Sequence, residues 1–215
     1  MPQVKKEQVS RRISSAARKE FLRKGFSDAS LRNIASASGV SLSNLYSYHE
    51  NKDSLFCSVV SEVKQDFDFI ADFFNNYRPE GSDFDSLQTE VERARNIAPY
   101  IYQRRIELQL ILSKSAGSSL ENFSEDVVAG YVRNCRNLVD HVHSKNRMKY
   151  VPTDFFFSSV ARMGISALKE ITREKKSVEE IADRAEELAR YNYFGFRGLA
   201  GYRLTNEQGE SDEYI

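Results

Sequence analysis

Residues 41–48 of this 215-residue chain, SLSNLYSY, carry polar side chains at a spacing suited to specific recognition. At about 100° per residue, a helix over this stretch puts its apolar side chains on one side, with Leu45 and His49 together and Leu42 at the edge. The opposite side carries hydroxyls, an amide and a phenol, and no acid: Ser43, Asn44, Ser47 and Tyr48. Short polar side chains of this kind suit a helix in the major groove of DNA, where they reach base edges and phosphates.

The other residues that could do chemistry form no comparable set. His141 and His143 lie two residues apart on a predicted helix, so they point roughly 200° away from each other and cannot easily share one metal ion. The chain has three histidines, and neither a glycine-rich phosphate loop nor a nucleophile elbow is present in the sequence. We therefore predict no catalytic residue, no metal and no cofactor, and no enzymatic activity.

The elements that must position the polar set lie within residues 30–52. Ser30 and Ser41 are predicted N-caps of two short helices, because a serine oxygen can accept from the open N–H groups of a first turn. Between them, Gly39 is expected to end the first helix with a positive φ. The second helix is predicted to run over residues 42–48. Asn51 is expected to cap a third, longer helix with Lys52 in its first turn, a combination that suits an anion.

A longer helix is predicted to precede these elements. Val9, Ile13, Ala17 and Phe21 recur every four residues and form one apolar stripe, which Gly25 ends. Phe26 is expected to close the small core. Residues 1–8 are predicted to be a mobile basic arm that either lies along DNA phosphates or is simply solvated.

The segment from about Arg12 to Val60 resembles the DNA-binding domain of the TetR (tetracycline repressor) family of bacterial transcription regulators. The residues that carry the resemblance are Ala17, Phe21, Gly25, Phe26, Ile34, Ala35, Gly39, Val40, Ser41, Leu45, Tyr46, Asn51, Lys52, Asp53 and Leu55. Two positions depart from the family pattern: Ser43 and Asn44 replace a small residue and threonine, and His49 replaces a buried phenylalanine. The pattern and the resemblance together assign DNA contacts to Ser30, Arg32, Ser41, Leu42, Ser43, Asn44, Tyr46, Ser47, Tyr48 and Lys52, with Lys52 on a phosphate.

Helical periodicity continues through the rest of the chain, and no strand-like alternation persists. The predicted fold is therefore all-α, with a three-helix helix-turn-helix head at residues 1–52, a larger helical body at residues 53–204 and a disordered acidic tail at residues 205–215. The resemblance implies that the body encloses a pocket for a small-molecule effector. Candidate pocket residues are Tyr100, Tyr102, Tyr131, Cys135, Phe155 and Phe156, although aromatic residues at helical spacing more often belong to an ordinary core.

The resemblance also implies that the last two helices, about residues 155–199, form a homodimer interface. Two copies of a recognition helix are needed to read a palindromic operator in double-stranded DNA.

Charge and composition agree with this organisation. Residues 1–60 contain ten basic and five acidic residues, whereas the remainder contains 21 basic and 26 acidic ones, so a basic head adjoins an acidic body. Cys57 and Cys135 are too few and too far apart for a disulfide framework, which favours reduced thiols in the cytoplasm. No apolar run is long enough for a membrane span, and no signal peptide is evident.

The sequence therefore predicts a sequence-specific DNA-binding transcriptional regulator, and most simply a repressor that a small molecule releases. Two alternatives remain open. One is a ligand-binding or enzymatic helical protein with an incidental helix-turn-helix, which would need a convergent polar cluster in the body. The other is a nonspecific DNA-binding protein, which would need far more basic residues than a chain of zero net charge provides.

Overall fold

The structure is a computed structural model that describes residues 3–76, 86–143 and 150–200. These residues form helices and their connections, without any strand, which confirms the all-α prediction. The helices are α1 (Gln3–Asp28), α2 (Leu31–Ser38), α3 (Leu42–Tyr46), α4 (Lys52–Asn76), α5 (Leu87–Asn96), α6 (Ala98–Ser113), α7 (Phe123–His143), α8 (Asp154–Arg173) and α9 (Val178–Ala200). Within the described ranges, none of these helices has the length and apolar character needed to cross a bilayer.

Several helices begin where the sequence places an N-cap. The Ser30 hydroxyl accepts a hydrogen bond from the backbone N–H of Asn33, and the hydroxyl of Ser41 accepts one from the N–H of Asn44. At the start of α9, Ser177 and Glu180 satisfy each other's backbone N–H groups at 2.9 and 3.2 Å. Each cap of this kind stabilises a helix end by about 1 kcal/mol.

Two helix boundaries differ from the expectation. α1 already begins at Gln3, so the predicted basic arm is helical from there, and its backbone breaks at Gly25, which has φ 77° and ψ 171°. α3 ends at Tyr46 rather than at Tyr48. The chain tightens there into turns in which the N–H of Ser47 bonds the Asn44 carbonyl at 3.1 Å and the N–H of Tyr48 bonds the Leu45 carbonyl at 3.0 Å.

Packing divides the chain into two compact units. Unit 1 consists of Met1–Phe69, Gln103–Val127 and Ala167–Lys175, and unit 2 of Ile70–Tyr102, Val128–Ser166 and Lys176–Ile215. These packing units do not follow the predicted boundary at residue 52, so the division into a head and a body stays a prediction about function. The predicted tail at residues 205–215 and the side chains of His141 and His143 lie outside what the structure describes.

The core of unit 1 contains the apolar stripes of the first four helices. Ile13 and Phe21 from α1, Ile34 from α2 and Leu45 from α3 are fully buried. The rings of Phe21, Phe26 and Phe56 form an aromatic cluster with centroid separations between 5.1 and 6.1 Å. Because burial of such a side chain contributes about 1.5–3 kcal/mol, this small core holds α3 in a fixed orientation.

Ion pairs as well as apolar contacts hold the helices of unit 2 together. Arg95 on α5 binds three carboxylates of α9, at 2.9 Å to Asp183 and 2.8 Å to Glu186, with Glu179 as the third. An apolar cluster around the buried Val139 and Phe157 lies in the same unit. These contacts fix α5 against α9, the helix on which part of the predicted dimer interface lies.

Candidate nucleic-acid interface

The helix-turn-helix consists of α2, a turn at Gly39 and α3. Gly39 has φ 67° and ψ 36°, as predicted, and its N–H donates to the Ser36 carbonyl at 3.1 Å. The next residue, Val40, donates its N–H to the Ala35 carbonyl at 3.1 Å. A side chain at Gly39 would be strained by the positive φ, so the turn depends on glycine. This turn and the Ser41 cap together fix the point at which α3 starts.

The outward side of α3 presents most of the predicted DNA-contacting residues. Leu45 is fully buried, whereas Tyr46 is 49% exposed and Ser43, Asn44 and Ser47 are exposed. Leu42 and Tyr48 are half-buried at its edges. The helical wheel therefore agrees with the exposure of the polar side chains, except that Ser47 and Tyr48 lie in the turn after the helix.

The exposed polar side chains of this region also bond to one another. The Ser43 hydroxyl lies 3.0 Å from the hydroxyl of Ser41. The Ser47 hydroxyl lies 2.7 Å from the backbone carbonyl oxygen of Asn44 and 3.2 Å from its side-chain amide. Such contacts restrict rotation of the side chains, so part of the entropy cost of ordering them at a DNA surface is met before binding.

Ser30 and Arg32 lie at the start of α2. The hydroxyl of Ser30 is half-buried and accepts the Asn33 N–H at 3.5 Å, so its cap role leaves its hydrogen for another acceptor. Arg32 is exposed on the first turn of the helix. The positive end of a helix and an exposed guanidinium are both suited to a phosphate, and a contact of Arg32 with DNA stays a prediction.

Lys52 has an internal role that the sequence did not indicate. Its ammonium donates to the carbonyl oxygens of Ser27 at 2.9 Å and Ala29 at 3.3 Å, and it lies 4.6 Å from the centre of the Phe26 ring. The side chain therefore ties the start of α4 to the connection between α1 and α2. One of its three N–H groups remains for a phosphate, and that contact stays a prediction.

His49 follows α3 and carries an unusual polar atom for its position. Its Nε2 is buried and has no hydrogen-bond partner, while its backbone N–H bonds the Leu45 carbonyl at 3.1 Å. Burial lowers the pKa of the imidazole below its ordinary value, because the charged form is the more costly one to desolvate. His49 thus packs as a neutral side chain next to the recognition helix.

Glu20 is the buried carboxylate behind α2. It accepts from Arg23 at 2.8 Å, from the Asn33 side chain at 3.1 Å and from the Ser30 N–H at 3.4 Å. The bond from Arg23, followed by the bonds from Asn33 and Ser30, lowers the pKa of Glu20 in spite of its burial. The carboxylate thereby anchors the first turn of α2 to α1.

The connection between α6 and α7 packs against the base of the predicted head. The sequence alone did not predict this contact. We call residues 114–119 the docking loop. The Phe26 N–H donates to the Lys114 carbonyl at 2.8 Å, the Ser27 hydroxyl donates to the Ala116 carbonyl at 2.7 Å, and Asp53 accepts the Ser119 N–H at 2.9 Å.

An ion pair from α6 reinforces the docking loop. Arg18 on α1 binds the largely buried Glu107 at 2.7 Å. No local signal in the sequence could reveal partners 89 residues away.

The predicted pocket residues are only partly brought together. Cys135 and Phe156 pack against the Val139–Phe157 cluster of unit 2, and burial raises the pKa of Cys135 to about 11. Tyr100 is half-buried, and Tyr102 and Tyr131 are each 40% exposed. Phe155 is 81% exposed and does not join the cluster. Among the described residues, no group of three His, Cys, Asp or Glu side chains is placed to hold a metal ion.

Residues 13–59 match the family model described as bacterial regulatory proteins, tetR family. The match contains the C-terminal part of α1, both helices of the helix-turn-helix and the start of α4. The matched family consists of regulatory proteins and not of enzymes. No curated protein sequence matches the chain.

Solved structures with the same fold extend the likeness to almost the whole chain. NalD of Pseudomonas aeruginosa, the secondary repressor of the MexAB-OprM multidrug efflux pump, is 20% identical with a TM-score of 0.64, over 92% of this chain and 98% of NalD. A TetR-like transcriptional regulator from Rhodococcus sp. RHA1 is 16% identical with a TM-score of 0.57, over 87% and 96% of the two chains.

A third structure was solved with a bound molecule. FadR of Bacillus subtilis, in complex with stearoyl-CoA, is 13% identical with a TM-score of 0.51, over 83% of this chain and 96% of FadR. At these identities the structural likeness shows a shared fold.

Proposed function

On the premise that this chain is a DNA-binding regulator of the tetR family, identified by its residues 13–59, we propose that it represses transcription as a homodimer bound to a palindromic operator and that a small molecule releases it. It would act in the cytoplasm and without catalysis. The observation that carries the proposal is the outward side of α3, where exposed hydroxyl, amide and phenol groups follow a capped start and a glycine turn. That combination is what direct readout in the major groove requires.

Exposed apolar surface on α8 and α9 supports the homodimer. Tyr191 is 69% exposed and Phe194 48% exposed, and Gly195 and Gly198 have open space where a side chain would stand. At about 100° per residue these four positions share one face of α9. Phe155 on α8, assigned to a pocket by the sequence, is more simply explained as part of the same subunit contact. An aromatic face with two glycines lets another helix approach closely.

Variants at exposed aromatic residues test this interface. Tyr191→Lys should convert dimer to monomer at micromolar concentration and weaken binding to a palindromic duplex at least tenfold, because the second half-site is lost. Phe69→Lys is the matched control, since Phe69 is 72% exposed in unit 1 and should leave both properties unchanged. Sedimentation velocity and DNA titration measure the two properties. A dimeric Tyr191→Lys protein with unchanged DNA affinity would disprove the assignment of this face.

The Val139–Phe157 cluster is the part of unit 2 that we propose to receive the effector. Its surrounding residues are apolar or weakly polar: Val132, Cys135, Leu138, Val151, Phe156 and Phe196. Such a lining favours a largely apolar molecule, since a charged group would be desolvated without a partner. FadR was solved with stearoyl-CoA, which joins a long apolar acyl chain to a charged CoA group, and it is the acyl chain that suits such a lining. Fatty acyl compounds are therefore sensible first probes in thermal-shift screening.

Release requires the effector to prefer one arrangement of the protein, because a ligand shifts an equilibrium only by its differential affinity for the two states. The docking loop and the Arg18–Glu107 pair connect α6 to the head within unit 1. We propose that a shift of α4 and α6 carries the effect to α3 and changes the spacing of the two recognition helices. Operator half-sites lie about 34 Å apart or a multiple of that, so a small change in spacing uncouples the second half-site.

Selection of bound duplexes from a random DNA pool at physiological salt tests the proposed function directly. A specific dimeric regulator should yield one palindromic consensus. Recovery of no consensus, with weak binding that disappears as salt is raised, would overturn the proposal in favour of nonspecific binding.

A further inference from the structure

The contact between Ser47 and Asn44 bears on which base α3 reads. Both side chains are exposed on the outward side of the helix, in reach of a major groove. The Ser47 hydroxyl lies 2.7 Å from the Asn44 backbone carbonyl oxygen, which is a short and therefore favourable hydrogen bond for an O–H donor. It lies also 3.2 Å from the end of the Asn44 amide. A serine hydroxyl has a single hydrogen, so it cannot donate fully to two acceptors.

Counting hydrogens determines the orientation of the amide. The backbone carbonyl, at the shorter distance, takes the Ser47 hydrogen, and the lone pairs of Ser47 Oγ are left as acceptors. If Asn44 Oδ1 faced them at 3.2 Å, two acceptors would oppose each other. The two ends of an amide are nearly the same in shape, and a half-turn places Nδ2 at this position, where it donates to Ser47 Oγ. This orientation satisfies every group in the contact.

The outward edge of the amide then presents Oδ1 and the second N–H side by side. An acceptor and a donor in this arrangement complement adenine, whose major-groove edge offers the N6 amino group as donor and N7 as acceptor. We propose that Asn44 reads an adenine in each half-site and that Ser47 is the positioning residue that holds its amide for that contact. The inference rests on the proposed function, because it requires α3 to lie in the major groove.

Base analogues provide a test that targets each half of the contact. In the operator recovered by selection, each adenine of a half-site is replaced in turn by 7-deazaadenine, which lacks the N7 acceptor, and by purine, which lacks the N6 amino group. Equilibrium binding is measured for the wild type and for Asn44→Ala. Changing one particular adenine to another base should lower the affinity of the wild-type protein about 5- to 150-fold, and each analogue at that position should lower the affinity by less. Asn44→Ala should bind all these duplexes equally.

The positioning role of Ser47 has its own readout. Ser47→Ala should keep the preference for adenine but reduce the discrimination about 2- to 12-fold, because the amide must be ordered on binding. Ser47→Thr keeps the hydroxyl and should restore the discrimination. Ser61→Ala is the matched control, since that hydroxyl makes the same kind of bond, to the Ser58 carbonyl at 3.0 Å, but lies on α4 outside the predicted DNA contacts. Asn44 and Ser47 are both exposed, and circular dichroism verifies that each variant keeps its helical content.

The possible outcomes separate the inference from the proposed function. If selection yields no consensus, the proposed function itself fails. If a consensus appears and no adenine couples to Asn44, or if Asn44 couples to guanine or cytosine, the function stands and this inference is overturned. If adenine couples to Asn44 while Ser47→Ala discriminates as well as the wild type, the positioning role of Ser47 is overturned.

Discussion

Replacing Gly117 with alanine should weaken the docking loop by an amount that the structure allows us to derive. Gly117 has φ 84°, in the left-handed region that side chains disfavour by roughly 1–2 kcal/mol. A Cβ there would lie 2.7 Å from the Ser27 hydroxyl oxygen, closer than van der Waals contact allows. Ser27 must therefore move and lose its hydrogen bond to the Ala116 carbonyl, at a cost of about 0.5–1.5 kcal/mol.

The sum predicts that Gly117→Ala lowers the free energy of unfolding by about 1.5–3.5 kcal/mol, or roughly 3–14 °C in melting temperature for a chain of this size. Urea denaturation followed by circular dichroism measures the free energy, at one fixed protein concentration because the proposed dimerisation would contribute to stability. Gly130→Ala is the matched control. Gly130 lies within α7, where a Cβ would touch only the Arg133 guanidinium at 3.8 Å. Gly130→Ala should leave the free energy of unfolding unchanged or raise it by up to about 1 kcal/mol.

A double-mutant cycle identifies the contact responsible. Ser27→Ala alone should cost about 0.5–1.5 kcal/mol through the lost hydrogen bond. Without the Ser27 oxygen, the nearest side-chain atoms to the new Cβ lie at 3.8 Å, an ordinary contact distance. The double variant should therefore be about as stable as Gly117→Ala, and less destabilised than the sum of the single changes. Strict additivity would refute the assigned contact, and a cost below about 0.5 kcal/mol for Gly117→Ala would refute the strained turn.

Three further variants have distinct expected results. His49→Phe should stabilise the protein by about 1–3 kcal/mol at pH 7, because it removes a buried Nε2 without a partner. Since burial lowers the pKa of His49, the unfolded chain binds more protons below about pH 6.5. Wild-type stability should therefore fall from that pH downwards in urea titrations, with a smaller fall in His49→Phe. For Glu20, hydrogen bonds lower the pKa by stabilising the charged carboxylate. Its contribution to the free energy of unfolding is therefore present above about pH 4.5 and lost below, so Glu20→Gln should flatten the acid limb of the same titrations. Lys52→Ala should reduce both thermal stability and affinity for every DNA sequence while the selected consensus stays the same, and a changed consensus would contradict its assignment.

Local chemistry explains what could be predicted from the sequence. Each helix cap and the turn between the two short helices depend on residues within four positions of one another, so a short stretch of sequence contains every residue involved. These features are the caps at Ser30, Ser41 and Ser177 and the turn at Gly39. Helical periodicity likewise identified the buried side of α3, including Leu45. These features were sufficient to predict the all-α fold and the head.

Contacts between distant residues explain what could not be predicted. The sequence predicts a phosphate contact for Lys52 at a helix start, and only the fold shows the two carbonyls and the ring that surround its ammonium. The pocket assignment of Phe155 stays a prediction, because an apolar pattern shows which side of a helix is apolar but not which surface covers the 81% exposed side chain. The short α3 reflects turns at Ser47 and Tyr48, a choice between two hydrogen-bond patterns that the sequence leaves open.

Unit 1 consists of three separate stretches of the chain, and this affects how it forms during synthesis on the ribosome. Its first stretch ends at Phe69, but its last stretch ends only at Lys175. At about 5–20 residues per second, that interval takes roughly 5–20 s of synthesis. The docking loop and α6, which contact the base of the head, are made within about the first half of this time. Until then the recognition helix exists without those contacts, and unit 1 is complete only when its last stretch has been made.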